Sequence, residues 1–158
     1  MQYKCTLLAV AEMARAKQFY CELMGLRVTA DFGANVTLSN AVALQKLESW
    51  QNFINKSNDE VQLFHNSAEL YFEADDLDGF LQRLAGWPDI RYVHPPKEHR
   101  WGQWVVRFYD PDGHIVEVGE NMTAVVRRFL TNGMTVAQVA KRMDVPETFI
   151  LLHRGDAF

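Results

Sequence analysis

The sequence predicts an α+β fold made of two β-α-β-β-β halves followed by a C-terminal helical extension. Three observations carry this. A strand-then-helix pattern near the N-terminus recurs sixty-four residues later. The strand-like stretches alternate apolar and polar side chains. The last forty residues hold three helical patterns with recognisable starts and stops. The 158 residues suit one domain with a small appendage, and 48% hydrophobic with 12% aromatic residues supply a core.

The first half opens on Cys5–Glu12 as a strand, and Met13, Ala16, Tyr20, Leu23 and Met24 follow at helical spacing up to Gly25. Short β-like pieces follow at Arg27–Ala30, Asn35–Leu38 and Val42–Leu47. The second half begins at Glu69–Asp76. Leu77, Phe80, Leu81 and Leu84 then form an apolar helix face, with Asp75 or Asp76 as N-cap and Gly86 as the stop. Its strands are Ile90–His94, Gln103–Tyr109 and His114–Val118. The halves cover about 1–48 and 67–118, giving a domain over 1–118 and an extension over 119–158.

Alternation assigns the faces. Ala68, Leu70, Phe72 and Ala74 point towards the helix layer, as do Trp104, Val106, Phe108, Val116 and Val118. Glu69, Tyr71, Glu73, Gln103, Val105, Arg107, Tyr109, Ile115 and Glu117 take the opposite face. An antiparallel sheet with one wet face explains that polarity; a curved sheet whose polar face lines a groove is the other reading.

Composition excludes several classes. A net charge of −4 argues against a general polyanion binder. No run reaches the roughly 20 apolar residues of a membrane span, and Met1–Val10 is too short and polar for a signal peptide. Cys5 and Cys21 make no disulfide framework, so a reducing, cytoplasmic setting is expected. Neither a phosphate-binding glycine loop nor a dinucleotide fingerprint is present.

Asp110-Pro111-Asp112-Gly113 is a tight-turn sequence, with Pro pre-setting φ and Gly accepting a positive φ. Phe108-Tyr109 before it and His114 with an apolar-Glu-apolar strand after it resemble the last hairpin of vicinal-oxygen-chelate proteins, the glyoxalase, bleomycin-resistance and extradiol-dioxygenase superfamily. Val10-Ala11-Glu12-Met13, Phe19-Tyr20 and Met24-Gly25-Leu26 resemble that superfamily's first module, and Glu73–Asp78 the opening of its second. The resemblance implies paired βαβββ modules edge to edge, a U-shaped mixed-sheet groove, a small-molecule ligand and a homodimer. Lyase, isomerase, dioxygenase and metal-free drug-sequestering members share that fold, so fold alone does not fix the function.

Carried over one position at a time, the resemblance places Cys5 and Glu69 where histidine ligands commonly stand. Glu117 falls on the usual carboxylate ligand and Gln45 on its first-module counterpart. Cys5, Gln45, Glu69 and Glu117 are thus the candidate site for a divalent metal (Zn, Mn, Fe or Ni), though they include no imidazole. The alternative is a metal-free groove in which Glu69 and Glu117 act as a catalytic acid/base pair, or in which Arg107 neutralises one of them. Tyr71, Glu73, Arg100, Trp101, Gln103 and Arg107 are the candidate ligand contacts. His99–Gln103 is a loop able to close over a planar or anionic group. His114 and Cys21 read as structural, Trp104 as core, and His65, His94 and His153 show no ligand spacing.

In the extension, Met122, Val125, Val126, Phe129 and Leu130 form one helix closed by Asn132-Gly133. Thr135 with Gln138 caps a second, and Pro146 opens a third. Thr135–Ile150 resembles a DNA-binding helix-turn-helix, but Glu147–Leu152 is mostly apolar. Residues 119–158 hold five Lys/Arg against four acids, too few for a basic footprint. Packing on the body or on a dimer partner is therefore preferred to a DNA-associated regulator.

Overall fold

In the computed structural model, which describes residues 1–155, both expected halves form. The chain runs β1 (Thr6–Val10), α1 (Met13–Gln18) continuing as a π turn at Phe19–Leu23, β2 (Val28–Asp31), β3 (Asn35–Leu38) and β4 (Val42–Lys46). Then come α2 (Leu47–Ile54), β5 (Glu69–Ala74), α3 (Leu77–Ala85), β6 (Arg91–Glu98), β7 (Trp104–Tyr109) and β8 (Ile115–Glu120). Three helices close the chain: α4 (Met122–Thr131), α5 (Val136–Met143) and α6 (Glu147–His153). One sheet has the order β1-β4-β3-β2 and the other β5-β8-β7-β6, so the sequence repeat is also a repeat of topology. In the first sheet β1 lies parallel to β4, and β4-β3 and β3-β2 are antiparallel.

The residues divide into two compact units that do not follow the halves. One comprises 1–69, 87–91 and 109–115; the other comprises 70–86, 92–108 and 116 onwards.

In the first unit Val10, Ala16, Phe19, Tyr20, Leu23, Val36, Leu38 and Leu44 are buried. The π turn adds one residue to the helical repeat, which brings Phe19, Tyr20 and Leu23 inward together. The Asp110–His114 turn belongs to this unit, and Asp110 is its polar centre. Its carboxylate accepts from the Tyr20 hydroxyl at 2.8 Å, the Asp112 and His114 amides at 2.9 and 2.8 Å, and His114 Nδ1 at 2.8 Å. The structural role expected of His114 is therefore concrete: it is one of four donors to a buried carboxylate. Gly113, at φ +87°, lies where a Cβ would run into the Phe64 ring.

Asp112 accepts from the Ala11 amide at 3.0 Å and faces Arg15 at 3.4 Å. Burial raises its carboxyl above the ordinary 3.8, a neighbouring Asp110 adds to the rise, and the Ala11 bond and Arg15 oppose it. The folded chain therefore holds this proton more tightly than the unfolded chain, and stability is lost as pH rises from 3.8 to the elevated native value. Asp112→Asn removes that titration. Its stability relative to the parent is expected to climb across the same interval, as urea unfolding at stepped pH would measure.

In the second unit α3 lays Leu77, Phe80 and Leu84 over the sheet, with the Phe80 and Phe108 rings 6.1 Å apart. Asp76 is the N-cap, accepting from the Gly79 amide at 2.9 Å. Val125, Val126, Phe129, Val139, Ala140, Met143 and Ile150 form a separate apolar cluster among α4, α5 and α6, with Trp101 packed against it. The Thr135–Gln138 capping box is present, and Asp144 takes the left-handed conformation that ends α5 at φ +59°. No helix among the described residues is long and apolar enough to cross a membrane.

Four details differ from expectation. Helix α2 was not foreseen; Leu47, Trp50 and Ile54 give only two turns of amphipathic spacing after a strand. Strand β6 runs on through Pro95-Pro96 to Glu98 at the edge of its sheet, where the proline whose nitrogen faces outward forfeits no ladder bond. Pro146 is the N-cap of α6 and not its first residue. Trp104, expected in the core, is 41% exposed. Its parity is right, since Val106 and Phe108 on the same face are fully buried, but the apolar cover stops short of the strand's first residue.

Candidate functional site

The face of the second sheet that alternation turns away from α3 is not an ordinary wet face. Gln103, Val105 and Glu117 on it are only 3%, 0% and 6% exposed. Burying an amide and a carboxylate requires partners, and both have them. The Gln103 amide donates to the Tyr71 hydroxyl at 2.8 Å and to the Glu120 carbonyl at 2.9 Å, while its oxygen accepts from Trp101 Nε1 at 3.1 Å. Tyr71 in turn donates to Glu73 at 3.0 Å. Burial, reinforced by the Glu73 and Glu117 carboxylates and opposed by Gln103, pushes the Tyr71 phenol up to about 12, so it stays a neutral donor. Glu73 spends its second oxygen on the Met122 amide at the start of α4, 3.2 Å away.

Glu117 forms an ion pair with Arg107. Of the two readings of this carboxylate, neutralisation by Arg107 is thus the geometry found. Arg107 also donates to His94 Nε2 at 3.2 Å, and His94 Nδ1 lies 2.8 Å from the Pro95 carbonyl. Because a guanidinium only donates and a carbonyl only accepts, this arrangement requires the neutral Nδ1–H tautomer. His94 is a site residue that sequence spacing missed; its signal is its place across from Arg107, which only pairing reveals. His99 stacks on Trp101 at 4.2 Å, and burial first, then the charges of Arg107 and Lys97, hold it below the ordinary imidazole value.

The His99–Gln103 loop, expected to close over a ligand, is bonded to its own unit at several points. Gly102, at φ +89°, sits where a Cβ would strike the Phe129 ring, and Arg128 donates to its carbonyl at 2.7 Å. Trp101 is held by Gln103 and by the helical cluster. Arg100 points elsewhere, exposed and 3.5 Å from Asp144.

In the first unit, Cys5 precedes β1 as a half-buried free thiol, and Glu69 opens β5 on an exposed position. Gln45 is buried in β4, its oxygen accepting from Asn35 at 2.8 Å and its amide donating to the Ser49 hydroxyl at 2.5 Å. These donors do not fit a divalent cation. Glu117 already faces a guanidinium, the Gln45 oxygen is taken by Asn35, and none of the four is an imidazole. Among the described residues no three His, Cys, Asp or Glu side chains gather at metal-holding distance.

A family model described as a glyoxalase-like domain matches residues 3–123. Among solved structures, an Agrobacterium tumefaciens protein of unknown function is 35% identical, over 77% of this chain and 94% of its own, with a TM-score of 0.68. A glyoxalase-related enzyme from Fulvimarina pelagi is 19% identical over 77% and 89%, with a TM-score of 0.66. A lactoylglutathione lyase from Agrobacterium tumefaciens is 23% identical over 73% and 90%, with a TM-score of 0.56. Comparison with proteins of curated function finds no match.

Proposed function

The chain belongs to the glyoxalase-like domain family, and we propose that it binds a small, oxygen-rich organic ligand on the polar face of its second sheet without a metal. One observation carries the reading: Gln103 and Glu117 are buried on a face the fold does not need to make polar, the first bonded to the half-exposed Tyr71 and the second paired with Arg107. On binding, a carboxylate or enolate oxygen shares the Arg107 guanidinium with Glu117 and takes the Tyr71 hydroxyl from Glu73, while Gln103 holds the phenol in place and the Trp101 ring supplies an apolar wall. The homodimeric assembly and cytoplasmic setting expected from the sequence belong to the same proposal.

The test is a thermal-shift screen of 2-oxo and 2-hydroxy carboxylates, repeated on Tyr71→Phe and Gln103→Leu. A ligand that stabilises the parent and loses about tenfold in affinity in either variant supports the reading. A ligand bound equally by all three overturns it. Glu117→Gln then separates the functions: retained stoichiometric capture fits a sequestering protein, and retained binding with lost product formation fits an isomerase or lyase.

A further inference from the structure

A concavity lies entirely within the first unit and uses none of the residues of the proposed ligand face. It encloses about 590 Å³, inside the range of small-molecule sites, and its walls include Phe64, Trp87, Tyr109, Arg15 and Arg91. The Arg91 guanidinium lies 4.4 Å from the Phe64 ring centroid and 5.1 Å from that of Tyr109. Those contacts hold the cation in place through its charge and consume none of its N–H donors. Among the described residues, Arg91 meets no carboxylate.

The surroundings are built to hold this arrangement. Tyr109 donates to Asn66 Oδ1 at 2.7 Å, which fixes its ring. The Phe64 ring rests where Gly113 has no Cβ. Phe64 and Asp89, both lining the cavity, are non-glycine residues at φ +63° and +58°. A bulky aromatic in that conformation is strained, and such strain concentrates at ligand sites. The wall carries two arginines, Arg15 and Arg91, against two acids, Asp89 and Asp110. Asp110 is turned to its four donors, and Arg15 also reaches Asp112 at 3.4 Å, which leaves Arg91 as the principal guanidinium offered to a ligand.

We infer that this cavity is a binding site for a planar organic anion, of the aromatic carboxylate class, seated with its ring among Phe64, Trp87 and Tyr109 and its carboxylate on Arg91 and Arg15. Aromatic walls select a flat apolar body, and a guanidinium already ordered on two rings pays little entropy to grip a carboxylate.

The probe is 2-naphthoate, titrated calorimetrically and by amide NMR into the full chain, with neutral 2-naphthamide alongside. Saturable binding of naphthoate is expected, at least about tenfold weaker in Arg91→Met and weakened in Arg15→Met, with naphthamide weaker than naphthoate. Tyr71→Phe is expected to bind it as the parent does. Absence of saturable naphthoate binding, equal binding of naphthamide, or indifference to Arg91→Met each overturns the inference. Loss in Tyr71→Phe with Arg91→Met unaffected also overturns it and assigns the anion to the sheet face, so this site and the proposed ligand face fail separately.

Discussion

Asp110→Ala is expected to destabilise the protein by about 3–5 kcal/mol, the upper end for a single polar substitution. Four donors converge on this carboxylate, which is 2% exposed: one phenol, one imidazole and two backbone amides. Removing the acceptor strands all of them in a space too closed for full rehydration, and it opens the turn that Asp110 ties together. Asp110→Asn is the informative partner. Its amide oxygen still serves the two backbone N–H groups, and its NH2 meets the Tyr20 hydroxyl and His114, both able to accept. A loss of only about 1–2 kcal/mol is expected there. Denaturant unfolding measures both. Equal losses for the two variants would mean that charge, not acceptor number, dominates.

The second large effect concerns Arg107. Arg107→Met keeps the length of the side chain but leaves the Glu117 carboxylate without its counter-charge on a strand where it is 6% exposed. About 2–4 kcal/mol of stability is expected to be lost. Adding Glu117→Leu to Arg107→Met should restore much of it, because a pair of apolar residues needs no solvation. The coupling energy of that double-mutant cycle is the measurement. Additive losses would mean that other partners of the two residues outweigh their mutual attraction.

Much of the fold was legible because it is locally encoded. The sixty-four-residue repeat, the alternation along Glu69–Ala74, the Asp76 cap and the Thr135–Gln138 box all involve residues that meet their near neighbours. What was not legible depends on chain segments far apart. Tyr20 reads as one more apolar helix position, and nothing local says that its hydroxyl is reserved for Asp110. Gly102 reads as a flexible loop residue until Phe129 is seen lying over it. The candidate ligand face was half legible. Strand parity grouped Tyr71, Gln103, Arg107 and Glu117 correctly, but His94 entered only through its bond to Arg107, and the Phe64–Arg91–Tyr109 stack left no periodic trace. Trp104 shows the limit of parity, which gives a side chain's direction and not the extent of what covers it.

The contribution of residues 109–115 to the first unit also means that this unit cannot be completed until they have been synthesised. Tyr20 and Asp110 are ninety residues apart in the chain. At bacterial or eukaryotic elongation rates the tyrosine waits roughly 5–20 s for its acceptor to be synthesised. Until then the Tyr20 hydroxyl has no Asp110 to donate to, and the first unit lacks the turn that holds its polar centre.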